Sequence, residues 1–314
     1  MRKIIGAGLL VLIVLWATLF LVYLPSQLMK AEGPAFTATP EAAGLEFDNV
    51  SIALPKEGLN LSAWWIPAQE PKASILFVHG ANANKEDFYF GALDFYKQMV
   101  ARNFNVMAVD LRNHGGSDKT ESGNLAYGAE EYRDVLAALT MIETLAPNLP
   151  VYGAGVSMGG ATLIEAASRE APFTALMLVD PLLDPESATL AGMQAITGLP
   201  TWLLHPTVWS ATTFFGLGQA QPGLAEKAGN LSLPTLLIQD MDDPVTQARF
   251  GRAAARTNPA IDLVELPSAP ANHPVLVESQ GWGSHATAYR IYPDRVLAEI
   301  ERFLSTGTVP TPPS

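Results

Sequence analysis

A serine with glycine two residues before and two residues after it is the feature best suited to chemistry in this sequence. A short apolar segment from Val151 leads into Gly-Val-Ser-Met-Gly at 155–159, and a helix-forming stretch follows. A serine on a tight strand-to-helix turn has a strained backbone, and only very small residues fit two positions away on either side. Gly155 and Gly159 meet that need, and the helix N-terminus favours negative charge on the serine oxygen. The pattern predicts a nucleophile at Ser157; the alternative is a packing turn whose serine only caps the helix.

Three aspartates that follow a strand-like apolar run are candidates for the acid of a catalytic triad. The run is 235–239, and the acids are Asp240, Asp242 and Asp243. An acid at this place would orient a histidine and stabilise its charged form. Asp243 is the predicted acid and Asp242 the alternative, while Asp240 is expected to end the strand or cap the turn. Asp180, at the end of an earlier predicted strand, is a further alternative.

A histidine in a glycine-rich loop before the last predicted helix is the candidate general base. His285 lies in Gly-Trp-Gly-Ser-His-Ala at 281–286, a loop suited to reach over the end of a sheet. His273 is the alternative because it is nearer to the preceding strand. His114 and His205 are given no catalytic role.

The segment Phe-Val-His-Gly-Ala-Asn at 77–82 follows the first buried strand and is suited to stabilise an oxyanion. Acyl transfer requires two backbone N–H groups aimed at the developing negative charge. One is expected from Met158, the residue after the nucleophile, and the other from Ala81. His79 is interpreted as structural, holding this loop through hydrogen bonds of its ring.

Alternating strand-like and helix-like segments predict the scaffold that holds these residues. Two strand-like segments, 47–54 and 59–66, form a predicted hairpin. Further strands are predicted at 74–78, 105–110, from 151, 175–180, 235–239 and 261–266, and helices near 88–102 and 127–145, after 157, and at 246–256 and 293–304. This alternation indicates right-handed crossovers and a doubly wound, mostly parallel sheet. The predicted fold class is α/β, with one catalytic domain at 45–305 and a disordered Pro/Thr-rich tail at 306–314.

The stretch 181–230 interrupts this alternation and is predicted to form a helical cap. It is rich in aromatic and aliphatic residues and poor in charge. An insertion after the strand that ends at Asp180 would lie over the carboxyl ends of the strands, where ligands bind in open α/β sheets. The cap is therefore expected to cover an apolar substrate region or to form a membrane-facing patch.

The N-terminal segment 1–30 is predicted to be an uncleaved, single-pass signal anchor. Arg2 and Lys3 precede an uncharged apolar run at 4–24, which is long enough to cross a hydrocarbon core of about 30 Å as a helix. Positive charge before the run predicts a cytoplasmic N-terminus and an extracytoplasmic catalytic domain. A cleaved signal peptide is the alternative, but no small-x-small site follows the run. Residues 31–44 are predicted to be a short tether.

Composition excludes several classes of function. The chain has 314 residues, of which 48% are hydrophobic, and its net charge of −12 argues against nucleic acid as a partner. The absence of cysteine excludes disulfides, a thiolate nucleophile and cysteine-ligated metal. The aspartates after residue 239 lack the spacing of an EF-hand calcium loop. Neither a metal nor a cofactor is expected.

The chain resembles the α/β-hydrolase superfamily over about 45–304. The segment Asp-Leu-Arg-Asn-His-Gly-Gly-Ser at 110–117 is similar to the Asp-x-Arg-Gly-x-Gly-x-Ser loop of that superfamily, with Asn113 in place of glycine. The Gly-Val-Ser-Met-Gly-Gly elbow at 155–160 and the N-terminal anchor resemble bacterial membrane-anchored members related to serine aminopeptidases and monoacylglycerol-lipase-like esterases. Asp240 is a second departure, because family members often carry glycine there.

The expected function is hydrolysis of an ester or related acyl bond of a small acyl substrate. The chain order Ser157, Asp243, His285 is the serine–acid–histidine order of this architecture. A serine aminopeptidase is the second enzymatic hypothesis, and a non-catalytic binding protein of the same fold is the third. Dehalogenase and epoxide hydrolase chemistry is disfavoured because it uses an aspartate where this chain has Ser157.

Overall fold

Continuous apolar runs of the sequence become the buried strands of a mixed, mostly parallel sheet. The structure is a computed structural model that describes residues 2–218 and 223–305. Its eight strands are β1 (Asp48–Leu54), β2 (Leu59–Ile66), β3 (Ala73–Val78), β4 (Phe104–Val109), β5 (Val151–Val156), β6 (Ala175–Val179), β7 (Thr235–Asp240) and β8 (Ile261–Leu266). Their order is β1-β2-β4-β3-β5-β6-β7-β8, and only the β1–β2 and β2–β4 pairs are antiparallel. The predicted α/β fold and the hairpin are confirmed.

The α-helices precede the first strand, connect the strands or follow the last one. They are α1 (Arg2–Thr18), α2 (Leu24–Leu28), α3 (Ala92–Val100), α4 (Tyr132–Leu145), α5 (Met158–Ala167), α6 (Pro185–Thr197), α7 (Thr201–Ser210), α8 (Leu224–Asn230), α9 (Ala248–Thr257), α10 (Pro274–Ser279), α11 (Ala288–Ile291) and α12 (Pro293–Ser305). Helices α3 and α4 begin four to five residues later than predicted, because turns at 87–91 and 128–131 precede them. The predicted tail at 306–314 lies outside the described residues.

The core lies on both faces of the sheet, as alternation along a fully buried strand requires. In β3, Ile75 and Phe77 pack in one buried apolar cluster, and Leu76 and Val78 pack in the other. The central strands are therefore fixed from both sides. Loops at their carboxyl ends start from rigid positions.

The interruption predicted to be a cap contains α6, α7 and α8, with a π-helical turn at Ala211–Phe215. Residues 219–222 of it lie outside the described part of the chain. Its helices enclose a small cluster of their own, to which the N-terminal segment contributes Met29. Three cap aromatics are strongly exposed: Trp202, Trp209 and Phe214.

The N-terminal helix runs from α1 through a π-helical stretch, Leu19–Tyr23, into α2. Its part Gly6–Leu28 spans 23 residues with a mean hydropathy of 2.6, and only 6% of its most apolar window is buried. By length and composition, this helix is long enough and apolar enough to cross a membrane. Its C-terminal end contacts the cap, where Ser210 Oγ donates a hydrogen bond to the carbonyl of Leu21 at 2.5 Å.

Candidate active site

The turn between β5 and α5 holds Ser157 in a strained backbone conformation. Its φ of 49° and ψ of −115° lie outside the regions that serine normally adopts. A Cβ atom at Gly159 would overlap the carbonyl oxygen of Val78, and one at Gly155 would overlap the backbone of Gly159. The glycine spacing is thus required by close approach of three backbone segments. Ser157 is 6% exposed, at the N-terminus of α5.

Three residues distant in sequence form a hydrogen-bonded row at this turn. Ser157 Oγ lies 3.1 Å from Nε2 of His285, and Nδ1 of His285 lies 2.9 Å from Oδ2 of Asp243. A carboxylate can only accept, so Nδ1 carries the proton and Nε2 is free to accept one from the serine. The arrangement has the geometry in which a histidine removes a proton from a nucleophile while an acid holds the ring.

The carboxylate of Asp243 is fixed by its own loop, called the Asp243 loop from here on (residues 240–246). Its Oδ1 accepts hydrogen bonds from the amides of Val245 at 2.7 Å and Thr246 at 3.0 Å, and Thr246 Oγ1 donates to Oδ2. The alternative acid, Asp242, is exposed, and its amide donates to Asp240. Of these aspartates, the structure brings Asp243 to the histidine.

Asp180 and Asp240 are two further acids near Asp243. Both side chains are fully buried. Asp180 Oδ1 accepts from the amide of Asp240 at 2.7 Å, while its Oδ2 has no partner among the described residues. Burial, and then the negative charge of Asp243, raises the pKa of Asp180 well above its usual value. Burial likewise raises the pKa of Asp240 to about 6.

The other histidines lie outside this row, and His79, His114 and His273 have hydrogen-bond partners of their own. His273 caps α10, with its Nδ1 accepting from the amide of Val275 at 3.3 Å, and His205 is exposed on α7. His79 accepts at Nε2 from the amide of Leu111 at 3.1 Å, and its Nδ1 lies 2.7 Å from the carbonyl of Gly80. Burial and the neighbouring His114 lower the pKa of His79 well below its usual value, so the ring stays neutral.

The loop after β3, called the His79 loop from here on (residues 79–87), lies against the serine. A Cβ at Gly80 would lie 3.5 Å from Cβ of Ser157, so the backbone of Gly80 packs against the serine. Ala81 is the next residue of the loop. Among the described residues, the amides of Ala81 and Met158 donate no hydrogen bond to another protein group. Two free N–H groups next to a nucleophile are suited to bind an oxyanion.

Two further buried groups hold the His79 loop, and the sequence did not reveal them. Asp87 accepts from the amides of Gly80 at 3.3 Å and Phe90 at 3.1 Å. The Lys85 ammonium forms a buried ion pair with Asp110 at 2.5 Å. Asp110 begins the motif at 110–117, but no short-range pattern indicates that its partner is a lysine 25 residues earlier.

Trp282 is the third residue that the sequence did not single out. Its ring stacks on His285 with centroids 6.1 Å apart and an angle of 29° between the planes. It also lies against α6 of the cap, where a Cβ at Gly192 would be 3.5 Å from the indole. An aromatic three residues before a histidine is too common to identify in a sequence.

No cluster of three or more histidine and acidic side chains within 2–218 and 223–305 has the geometry to hold a metal ion. The site itself presents a serine, a histidine and a carboxylate in hydrogen-bonded order.

Comparison with solved structures identifies the fold. An esterase of Pyrococcus furiosus superposes with a TM-score of 0.69 at 19% identity, covering 88% of this chain and 98% of that one. The chain has the α/β-hydrolase fold. A bacterial membrane phospholipase A superposes with a TM-score of 0.57 at 17% identity, covering 98% of this chain and 99% of that one. That second match extends over nearly the whole chain.

Sequence comparison supports a narrower resemblance over part of the chain. A family model described as "Serine aminopeptidase, S33" matches residues 69–208. Monoglyceride lipase of Rattus norvegicus is 32% identical over 131 residues, which are 40% of this chain and 41% of that protein. The chain thus spans about two fifths of the length of the curated relatives it matches. The matched family segment contains the His79 loop and the elbow, and it ends before the Asp243 loop.

Proposed function

We propose that this protein is a membrane-anchored serine hydrolase that cleaves carboxylic esters through an acyl-enzyme. The observation that carries the proposal is the hydrogen-bonded row from Ser157 to His285 to Asp243 at a strained strand-to-helix turn. The serine is the nucleophile, the histidine is the general base and the aspartate orients the histidine.

The reaction proceeds in two halves. Ser157 Oγ attacks the acyl carbon while its proton moves to Nε2 of His285, and the amides of Met158 and Ala81 bind the oxyanion. Collapse of the tetrahedral species breaks the ester C–O bond, and His285 returns the proton to the departing alcohol. Water then attacks the acyl-enzyme with His285 again taking a proton, which releases the carboxylic acid and restores Ser157.

The proposed substrate is a small ester with an apolar acyl chain. The cap above the site is rich in aliphatic and aromatic residues and holds few charges. Similar proteins that carry the names monoglyceride lipase, esterase and phospholipase A are consistent with an acyl ester. A lipid ester close to a bilayer fits both the cap and the N-terminal helix.

We place the catalytic domain on the extracytoplasmic side of a membrane, held by a single span. The helix Gly6–Leu28 has the length and hydropathy of a span, and Arg2 and Lys3 precede it. Its docking on the cap would keep Trp202, Trp209 and Phe214 near the bilayer surface, where aromatic rings are favoured.

Labelling with a fluorophosphonate probe tests the nucleophile directly. The full-length protein in detergent should be labelled, and the Ser157→Ala variant should not be. A series of p-nitrophenyl esters of increasing chain length then tests the apolar acyl preference. Full labelling of Ser157→Ala would show that another residue reacts and would overturn the assignment.

An aminopeptidase is the second candidate, favoured by the description of the matched family model. Binding a substrate ammonium group requires an acidic anchor in the pocket. The cap acids do not provide one: Asp184 caps α6 by accepting from the amide of Ser187, and Glu186 and Glu226 are exposed. Parallel assays with acyl esters and aminoacyl-anilides should therefore favour the esters.

A further inference from the structure

Residues 31–37, called the strap from here on, lie along the His79 loop instead of extending away from the domain. The strap is the first half of the segment 31–44, which the sequence predicts to be a tether. Alternate residues of the His79 loop each bond to one strap residue, so the two segments are fastened at regular intervals. The pairs are Glu32 with Asn82, Pro34 with Asn84, and Thr37 with Glu86.

The contact at Glu86 is the most demanding of the three. Its carboxylate is 5% exposed, and both of its oxygens accept from Thr37, one from the amide at 2.7 Å and one from the hydroxyl. Among the described residues, no other group hydrogen-bonds to this carboxylate. A buried carboxylate without partners is strongly unfavourable, so the loop conformation at Glu86 depends on the strap.

The contact at Asn82 acts next to the proposed oxyanion hole. Asn82 follows Ala81, has a φ of 54°, and accepts at Oδ1 from the amide of Glu32 at 2.8 Å. Its own amide donates to Nε2 of His114 at 3.3 Å. Asn82 is exposed and positive φ is unfavourable for a non-glycine residue, so these bonds fix the Ala81–Asn82 peptide, which directly follows the Ala81 N–H.

An aromatic contact fixes the middle of the strap. The ring of Phe36 packs on Trp64 with centroids 5.6 Å apart, and the Lys85 ammonium lies 4.5 Å from the centroid of Phe36. Lys85 also forms the buried ion pair with Asp110, so Phe36 of the strap covers an ammonium group that is already fixed in the core.

The strap continues directly from the proposed membrane anchor. Met29 is buried against the cap, and the amide of Ala31 donates to the carbonyl of Gly123 at 3.0 Å. Only a few residues therefore separate the end of the apolar helix from the first contact with the His79 loop.

From these contacts we infer that the strap is a positioning element of the active site: Glu32 and Thr37 hold the His79 loop in the conformation that aims the Ala81 amide at the oxyanion. The inference rests on the proposed esterase function. It also means that the strap connects the membrane anchor to the loop that carries one side of the oxyanion hole.

The test compares variants of the full-length protein in detergent, with p-nitrophenyl butyrate as substrate. Losing one oxyanion donor costs about 10²–10³-fold in kcat, so partial misplacement in Glu86→Ala should lower kcat about 30-fold with little change in KM. Thr37→Ala should lower kcat about 5-fold, and Thr37→Ser should restore it. The double variant Thr37→Ala/Glu86→Ala should have the same kcat as Glu86→Ala alone, because both substitutions remove the same contact.

Matched controls separate positioning from general stability. Thr39→Ala changes the same residue type two positions away, where no side-chain hydrogen bond exists, and Glu41→Ala removes an exposed carboxylate of the same segment. Both should keep wild-type kcat. A Glu86→Ala variant with kcat within twofold of wild type, or losses equal to those of the controls, would overturn the inference. Absence of ester turnover and probe labelling in the wild type would instead disprove the proposed function.

Discussion

The two sides of Ser157 are built differently. On one side, the His79 loop is held by buried polar groups of the core and by the strap, through Asp87, Asp110 and His79. On the other side, residues 280–287, called the His285 loop, are held by local backbone hydrogen bonds, and His285 reaches the distant residues Ser157 and Asp243. Packing fixes this second loop, with Trp282 between His285 and the cap.

This difference assigns separate tasks to the two sides. Hydrogen bonds are directional, so a loop fixed by many of them presents its N–H groups at one geometry. Packing against the cap is less directional, and it connects the base to the part of the molecule that would admit substrate. Changes in the cap should therefore affect the histidine more than the oxyanion hole.

The largest expected effect comes from breaking the side that carries the base. Asp243→Asn should lower kcat about 10⁴-fold, because an amide can hold the wrong histidine tautomer. Asp242→Asn is the matched control, since it changes an exposed carboxylate of the same loop. Ester turnover by the two purified variants decides the matter. Equal loss in both, or a larger loss at Asp242, would show that the acid is not Asp243.

A smaller effect is expected on the oxyanion side. His114→Phe keeps an aromatic ring but removes the acceptor for the Asn82 amide, so kcat should fall by about 10-fold as the neighbouring Ala81 amide loses its alignment. KM should change little, because the His114 ring is buried and its hydrogen bonds are to the backbone of Asn82 and Arg112. If instead KM rose while kcat stayed constant, His114 would act on substrate binding rather than on the oxyanion.

Trp282 sharpens the comparison from the side of the cap. Trp282→Ala should lower kcat about 5-fold, because the base loses the ring that limits its orientation, an aromatic contact worth about 1 kcal/mol. Trp282→Phe should recover most of the activity, and kcat against pH should be measured for both variants. Wild-type kinetics in Trp282→Ala would remove the proposed link between the cap and the base.

The sequence predicts most of this site because its strongest signals are local. The glycines at 155 and 159 indicate that backbone segments approach closely within one turn. Ser157, Asp243 and His285 each lie in a loop that follows a recognisable strand. The strap, Lys85 and Trp282 were missed for a physical reason. Their partners are 11 to 92 residues distant or lie in the cap. A polar residue in a Pro/Gly-containing segment gives the same sequence pattern whether its side chain is free or bound.

The smallest expected effect on activity comes from changing Asp240, one of the two buried acids near Asp243. The same change should have a clear effect on stability. Burial raises the pKa of Asp240 to about 6, above the value near 3.9 of an unfolded aspartate. Such a group stabilises the folded state while it is protonated, so its contribution is complete below about pH 4 and is lost as the pH rises through 6.

Asp240→Asn should therefore raise the free energy of unfolding at pH 8 by up to about 3 kcal/mol, the cost of two pKa units, and the gain should vanish near pH 4. Denaturant unfolding of both proteins at the two pH values measures it, with Asp242→Asn as the exposed control. The kcat of Asp240→Asn should stay within a few-fold of wild type, because Asp240 does not contact His285. A stability gain that is the same at pH 4 and pH 8 would mean that ionisation of Asp240 does not cause it.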